Sequence, residues 1–289
     1  MSRPDDAAEA RIVDRSLTHV TSRRGVAASV AALGRHSLRR MLGLRRPFRY
    51  KLLPITFAGI AYLPAVAFLG VAALLPREFV GEVVPSPADF YGNILFALIL
   101  FTALAGPQAL CPDRRHRTLG LYLSSPLDRG TYLLANAGAL FLVLFVVTLG
   151  PPLLIPPGLA LLYVPGPGLV VVLWRVVAGG AVLSLLFGAV GLAGAALTDN
   201  RGFAAAGIFI TLIGLGIVSA VLTQALDLPA EFRLLNLPML GLEAASRVHG
   251  AELELTHVAT PVIFAGVAGW VGALGALVAL RYRRLAVVR

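Results

Sequence analysis

The chain has 289 residues, of which 57% are apolar and 14% charged, and a mean hydropathy of +0.81. Globular domains run at about 45–50% apolar and about 25% charged, so an ordinary soluble domain is excluded and a lipid bilayer is implied as second solvent. The formal charge of +10 is carried almost wholly by arginine, with Lys51 the single lysine; at this hydropathy it reads as the basic bias of membrane loops, and no nucleic-acid partner is expected.

Residues 1–25 are polar and are expected to form a flexible tail. Residues 26–51 mix Leu33, Leu38, Met41, Leu42 and Phe48 with Arg35, Arg39, Arg40, Arg45 and Arg46. That mixture predicts a basic amphipathic helix lying in the membrane interface with its arginines on lipid phosphates. Six apolar runs long enough to span a bilayer follow, at 52–76, 93–111, 131–150, 169–197, 203–223 and 258–280. Their continuity excludes a β-barrel, whose strands alternate in polarity. The fold class is therefore an all-α polytopic membrane protein with six transmembrane helices, and residues 52–289 form the transmembrane domain.

Placing both termini and the second and fourth loops on one side leaves only Arg77, Arg233 and Arg247 among the loop arginines on the other, together with eight acids from Glu78 to Glu254. The positive-inside rule then makes the N- and C-termini cytoplasmic. A bacterial cytoplasmic membrane suits the acid-containing, arginine-rich N-terminal region. The prolines between Pro151 and Pro167 are expected to break the third helix at its outer end. Arg175 falls at the outer boundary of the fourth run, where it can snorkel. Glycines repeating every third residue, at 188, 191 and 194 and at 266, 269, 272 and 275, are read as helix-packing positions. The external stretch 224–257 is apolar enough to predict short re-entrant or interfacial helices.

Several chemistries lack their residues. No Gly-Lys-Ser/Thr phosphate loop is present, the five histidines lack the spacing of a metal helix, and no acid lies inside any span to carry a coupling ion. No catalytic residue, metal ligand or cofactor is assigned to this chain.

One segment is dense in chemistry-bearing residues: Cys111-Pro-Asp-Arg-Arg-His-Arg-Thr-Leu-Gly-Leu-Tyr-Leu-Ser-Ser-Pro-Leu-Asp-Arg-Gly-Thr-Tyr-Leu-Leu. Leu119, Tyr122 and Leu123 make an apolar face on a short, otherwise charged helix, and Ser125-Pro126-Leu127-Asp128 reads as the capped start of the next helix. On these residues alone the segment is equally an ordinary loop between spans or a lever that passes a push from a cytoplasmic partner into them.

The stretch resembles the permease subunits of type 2 ATP-binding-cassette exporters, whose loop after the second span carries an acid, Gly-Thr-Leu, small residues, Pro, Arg and Tyr-Leu-Leu. Here Asp113 takes the acid position, Thr118-Leu119 the Thr-Leu, Ser124-Ser125-Pro126 the small residues and proline, Arg129 the basic residue, and Tyr132-Leu133-Leu134 the helix start. Arg117 stands where the family has glycine, and Ala135-Asn136 where it has Gly-Lys. The resemblance implies a permease without catalysis of its own, driven by a separate ATPase that binds ATP and magnesium. That ATPase would dock on a coupling helix at 113–126 through Asp113, Arg114, Arg115, Arg117, Thr118, Leu119, Tyr122, Leu123, Ser125 and Pro126. It also implies a second permease copy or paralogue, and a pathway from the second and fifth spans, whose polar residues are Asn93, Thr102, Gln108, Thr211, Ser219 and Thr223. An amphipathic or hydrophobic substrate, exported or flipped, suits such a lining. A membrane anchor that recruits the same partner, or an intramembrane lipid-handling enzyme, is the alternative.

Overall fold

The computed structural model describes residues 25–44, 48–116, 118, 120, 127–162 and 168–284. Nine α-helices run in order among them: α1 (Val26–Met41), α2 (Phe48–Leu74), α3 (Arg77–Val83), α4 (Pro87–Arg115), α5 (Arg129–Leu162), α6 (Leu169–Leu197), α7 (Arg201–Ala220), α8 (Leu237–His249) and α9 (Thr260–Arg284). A π turn (Val221–Ala225) extends α7, and a 3₁₀ turn (Ala230–Leu235) leads into α8. No strand occurs among the described residues. Six helices are long and apolar enough to cross a membrane: α2 from Ile55, then α4, α5, α6, α7 with its π turn, and α9.

Local chemistry sets several helix starts. Ser86 accepts from the Asp89 amide at 3.3 Å with Pro87 in the first turn of α4, and Asn200 and Asn236 do the same for α7 and α8. Gly250, at φ +81°, ends α8 in the left-handed conformation that favours glycine.

The core is a three-helix centre of α4, α5 and α6, each packed on the other two. The second span is the most enclosed helix, while α2, α7 and α9 lie around it with broad outward faces. Small residues permit the closest crossing: a Cβ added to Gly106 on α4 would come within 2.9 Å of the Gly191 Cα on α6. On α6 the glycine repeat does pack, since a Cβ on Gly194 would collide with Ile208. On α9 it does not: Gly266 faces Leu240, but Gly269, Gly272 and Gly275 meet nothing within 4 Å.

Helix α5 also departs from expectation, running unbroken through Pro151, Pro152, Pro156 and Pro157 to Leu162. Proline removes an amide donor, but neighbouring helices and side chains reconcile a spanning helix to that loss. Pro151 and Pro152 are buried against such neighbours.

Between α7 and α9, the short helix α8 packs on α4, α6 and α9. It reaches membrane depth, for Gly241 rests against Leu183 and Phe187 in the middle of α6. Its Glu243 is fully buried, accepting from the amides of Leu253, Glu254 and Leu255 and from Arg247 Nε at 2.9 Å. Arg247 also donates to Glu252, Thr260 and the carbonyls of Leu255 and Val258, so two side chains stitch the segment 250–260 onto α8. Burial pushes the Glu243 carboxyl upward, but Arg247 and the three amides outweigh it and hold the group below its ordinary 4.5.

Two outcomes follow from this packing. Gly106→Ala is expected to lower the melting temperature of the purified chain by the equivalent of about 1–3 kcal/mol of overpacking, whereas Gly138→Ala, which meets nothing within 4 Å, leaves it unchanged. Because the folded Glu243 carboxyl titrates below its unfolded value, its stabilisation is complete above that value and is lost as pH falls through the depressed one. The melting-temperature gap between wild type and Glu243→Gln is therefore expected to be constant above about pH 5 and to close below it.

Candidate functional site: the termini-side corner of α1, α4, α5 and α9

On the side of the membrane that holds both described ends of the chain, α4 finishes and α5 begins, and the dense loop joins them. The structure continues α4 without a break through Asp113, Arg114 and Arg115. These three therefore belong to the last turn of a spanning helix, not to a separate coupling helix. Of the remaining loop residues singled out above, Thr118 is described, its hydroxyl donating to the Asp113 carbonyl at 3.3 Å; Arg117, Leu119, Tyr122, Leu123, Ser125 and Pro126 lie outside the described residues.

The start of α5 falls three residues later than the serine cap expected from sequence. Asp128 is the cap: its Oδ1 accepts from the Thr131 amide at 2.7 Å, the Thr131 hydroxyl accepts from the Asp128 amide at 3.0 Å, and the Asp128 carbonyl accepts the first helical bond from Tyr132. The bonds from Thr131 hold the Asp128 carboxyl below its usual range.

Asp113 turns inward and is 4% exposed. Its carboxylate forms an ion pair with Arg40 of α1, which is also nearly enclosed, and accepts from the Tyr132 hydroxyl of α5 at 2.7 Å. Arg40 donates further to the Ala109 carbonyl at 2.7 Å. Ser37, one turn earlier on α1, donates to Asn136 Oδ1 at 2.6 Å, and the Asn136 amide donates to the Tyr132 carbonyl at 2.9 Å. The Tyr132 ring stacks on Tyr282 of α9 with centroids 6.1 Å apart. A buried polar cluster thus joins four helices directly beneath the loop.

Two neighbours extend the tie. Arg114 donates to the Ala196 carbonyl at 2.5 Å and pairs with Asp199 at 2.7 Å, fixing the end of α4 to the turn between α6 and α7. Arg129 donates to the Arg283 carbonyl at 2.8 Å, fixing α5 to α9. Among these charges Arg115 and His116 remain exposed.

The N-terminal arginines divide accordingly. Arg35 and Arg39 point outward on α1, while Leu33, Ser37 and Met41 are buried against the bundle. Arg40, read from sequence as a lipid contact, instead lies in the ion pair with Asp113; Arg45 and Arg46 are outside the described residues. No sequence period signals that switch, because Arg39 and Arg40 are adjacent and only the approach of α4 separates their surroundings.

The polar span residues also separate. Asn93 and Phe96 are exposed on α4 and the half-buried Leu100, Leu104 and Gln108 continue the same stripe, whereas Thr102 faces the opposite way, is buried and donates to its own Leu98 carbonyl at 2.7 Å. Gln108 keeps a buried amide oxygen without a partner. On α7, Thr211 is exposed and Ser219 is buried, donating to the Phe232 carbonyl at 3.2 Å; Thr223 donates to Ser219. At the far end of α6, Arg175 donates to the His249 carbonyl at the C-terminus of α8, a favourable site for a cation. Among the described residues no group of His, Cys, Asp and Glu could hold a metal ion.

Removing one partner of the buried ion pair strands the other. Arg40→Met and Asp113→Asn are each expected to cost about 3–5 kcal/mol, and the double variant less than the sum. Thermal unfolding of the four proteins measures that coupling.

A model of the ABC-2 family transporter proteins matches residues 78–237, and no curated protein matches the chain. The matched segment runs from α3 to the start of α8 and includes the polar corner of α4 and α5. It covers more than half of the 289 residues, and the chain belongs to the ABC-2 family of transporters, whose permease component it is.

Proposed function

We propose that the chain is the membrane subunit of a bacterial exporter in the cytoplasmic membrane, moved by a separate ABC ATPase that docks on the loop between α4 and α5. Support comes chiefly from the buried cluster under that loop. Arg40, Asp113, Tyr132 and Asn136 bind α1, α4 and α5 to one another, so a displacement of the loop is delivered to three helices together.

In this reading the apolar face of Leu119, Tyr122 and Leu123 fills a groove on the ATPase, and Arg115 and Arg117 meet its acidic surface. Asp113 and Arg114 act behind that contact by transmitting the push. ATP and magnesium belong to the partner, and its nucleotide state biases the permease between two arrangements. A second permease copy or paralogue completes the pathway, with both termini cytoplasmic. Asn93, Gln108 and Thr211 lie on faces open to a substrate or to that second subunit, and Thr102 and Ser219 serve helix packing instead. The mostly apolar lining suits an amphipathic or hydrophobic substrate, exported or flipped between leaflets.

The test is co-purification of the tagged chain with ABC ATPase subunits encoded in the same genome, followed by an ATPase assay. A Walker-type ATPase is expected to co-purify with wild type, and Leu119→Arg combined with Tyr122→Arg to release it or to abolish stimulation. Thr211→Ala should leave binding intact. Retention of the ATPase by the double variant at wild-type level would sink this reading.

A further inference from the structure

A groove of about 380 Å³ lies between α5, α6 and α9 on the outward face of the bundle. Gly130, Leu134 and Phe141 line it from α5, Gly188 and Leu192 from α6, and Gly275 from α9. From Gly130 to Phe141 it runs about 16 Å along the helix, at 1.5 Å per residue, against about 15 Å for half of a bilayer's hydrocarbon core. One end is therefore near the membrane centre and the other at the surface on the termini side. Its floor is open because Gly275 carries no side chain: a Cβ there would meet nothing within 4 Å.

The surface end is cationic. Arg281, Arg283 and Arg284 are exposed on the last turn of α9, and Arg129 bridges the mouth to the Arg283 carbonyl. Of the acids at this level, Asp199 is paired with Arg114 and Asp113 with Arg40, which leaves Asp128 alone to offset these arginines. The mouth is left with an excess of arginine.

We propose that this groove binds one acyl chain of an anionic phospholipid from the termini-side leaflet, with the headgroup phosphate attracted by the arginines of the last turn of α9. Depth, apolarity and charge each fit that occupant: the groove ends where a leaflet ends, it offers the chain apolar walls, and long arginines at its mouth reach the interface. A second copy of the chain fits less well. A two-fold axis along the membrane normal would run the two α9 helices parallel and set their arginine ends against each other. The inference stands apart from the transport reading, since a bound lipid would hold α5, α6 and α9 together in any membrane protein of this fold.

Native mass spectrometry of the full chain, delipidated in detergent and offered phosphatidylglycerol or phosphatidylcholine with the same acyl chains, tests it. Wild type is expected to favour phosphatidylglycerol by about fivefold for each arginine that reaches the headgroup. Gly275→Leu, whose Cβ meets nothing within 4 Å and whose branch then fills groove space, should cut bound phosphatidylglycerol severalfold at unchanged melting temperature in the lipid-free state. Arg281→Gln with Arg283→Gln should lower phosphatidylglycerol to the phosphatidylcholine level and leave phosphatidylcholine unchanged. Equal retention of the two lipids by wild type, or retention unaffected by Gly275→Leu, would overturn the proposal. So would a change of oligomeric mass in Gly275→Leu, which would assign the groove to a second copy.

Discussion

The Arg40–Asp113 ion pair is the constraint on which the termini-side half of the molecule depends. A carboxylate buried at the end of a spanning helix is costly without a partner, and its ion-pair partner comes from a helix that precedes all six spans. Recruiting Arg40 draws α1 onto the bundle, and the remaining acceptor capacity of Asp113 draws Tyr132 and with it the start of α5. Asn136 and Ser37 then satisfy one another and the Tyr132 carbonyl. A buried pair of this kind is a weak source of net stability, since desolvation offsets much of its attraction. Its consequence is geometric: few other arrangements of α1, α4 and α5 leave no charge stranded.

The opposite side solves a similar problem with a different pair. Glu243 and Arg247 lie one turn apart on α8, and between them they bond five backbone groups of the stretch from Leu253 to Val258. Irregular backbone near a membrane is tolerated where the protein itself supplies hydrogen bonds, and here one helix supplies them to the loop that returns the chain to α9. Between the two polar ends, the interior relies on small residues and on short internal bonds. Thr148 and Ser184 both bond the Gly180 carbonyl and approach each other at 2.7 Å.

This arrangement gives the transporter an enclosed centre and more open flanks. The helices α4, α5 and α6 are locked by glycine crossings and polar ties, while α7 and α9 lean on that centre along one face each. In the proposed function, the outward stripe of α4 with Asn93 and Gln108 and the exposed face of α7 with Thr211 are where a second subunit or a substrate would meet the protein. The groove beside α9 is the proposed lipid site.

Composition and run length by themselves determined the solvent, the six spans and the even placement of the ends, because burial in hydrocarbon demands about 20 apolar residues per crossing whatever the packing. The residues from Asp113 to Leu134 likewise carried the family resemblance, since it rests on residue order within one short stretch. Direction of side chains was another matter. Arg39 and Arg40 are neighbours with the same chemistry, yet one is exposed and the other nearly enclosed, and Asp113 reads as a surface acid until α1 arrives from 73 residues away. The proline-rich end of α5 stayed helical, with Pro151 and Pro152 buried against the neighbouring helices. The glycines of α6 and α9 share one spacing, but on α9 only Gly266 meets a facing helix, whereas those of α6 do so throughout. Spacing sets which residues share a face; only the tertiary structure decides what that face meets, because contacts across the bundle depend on how helices far apart in the chain come together.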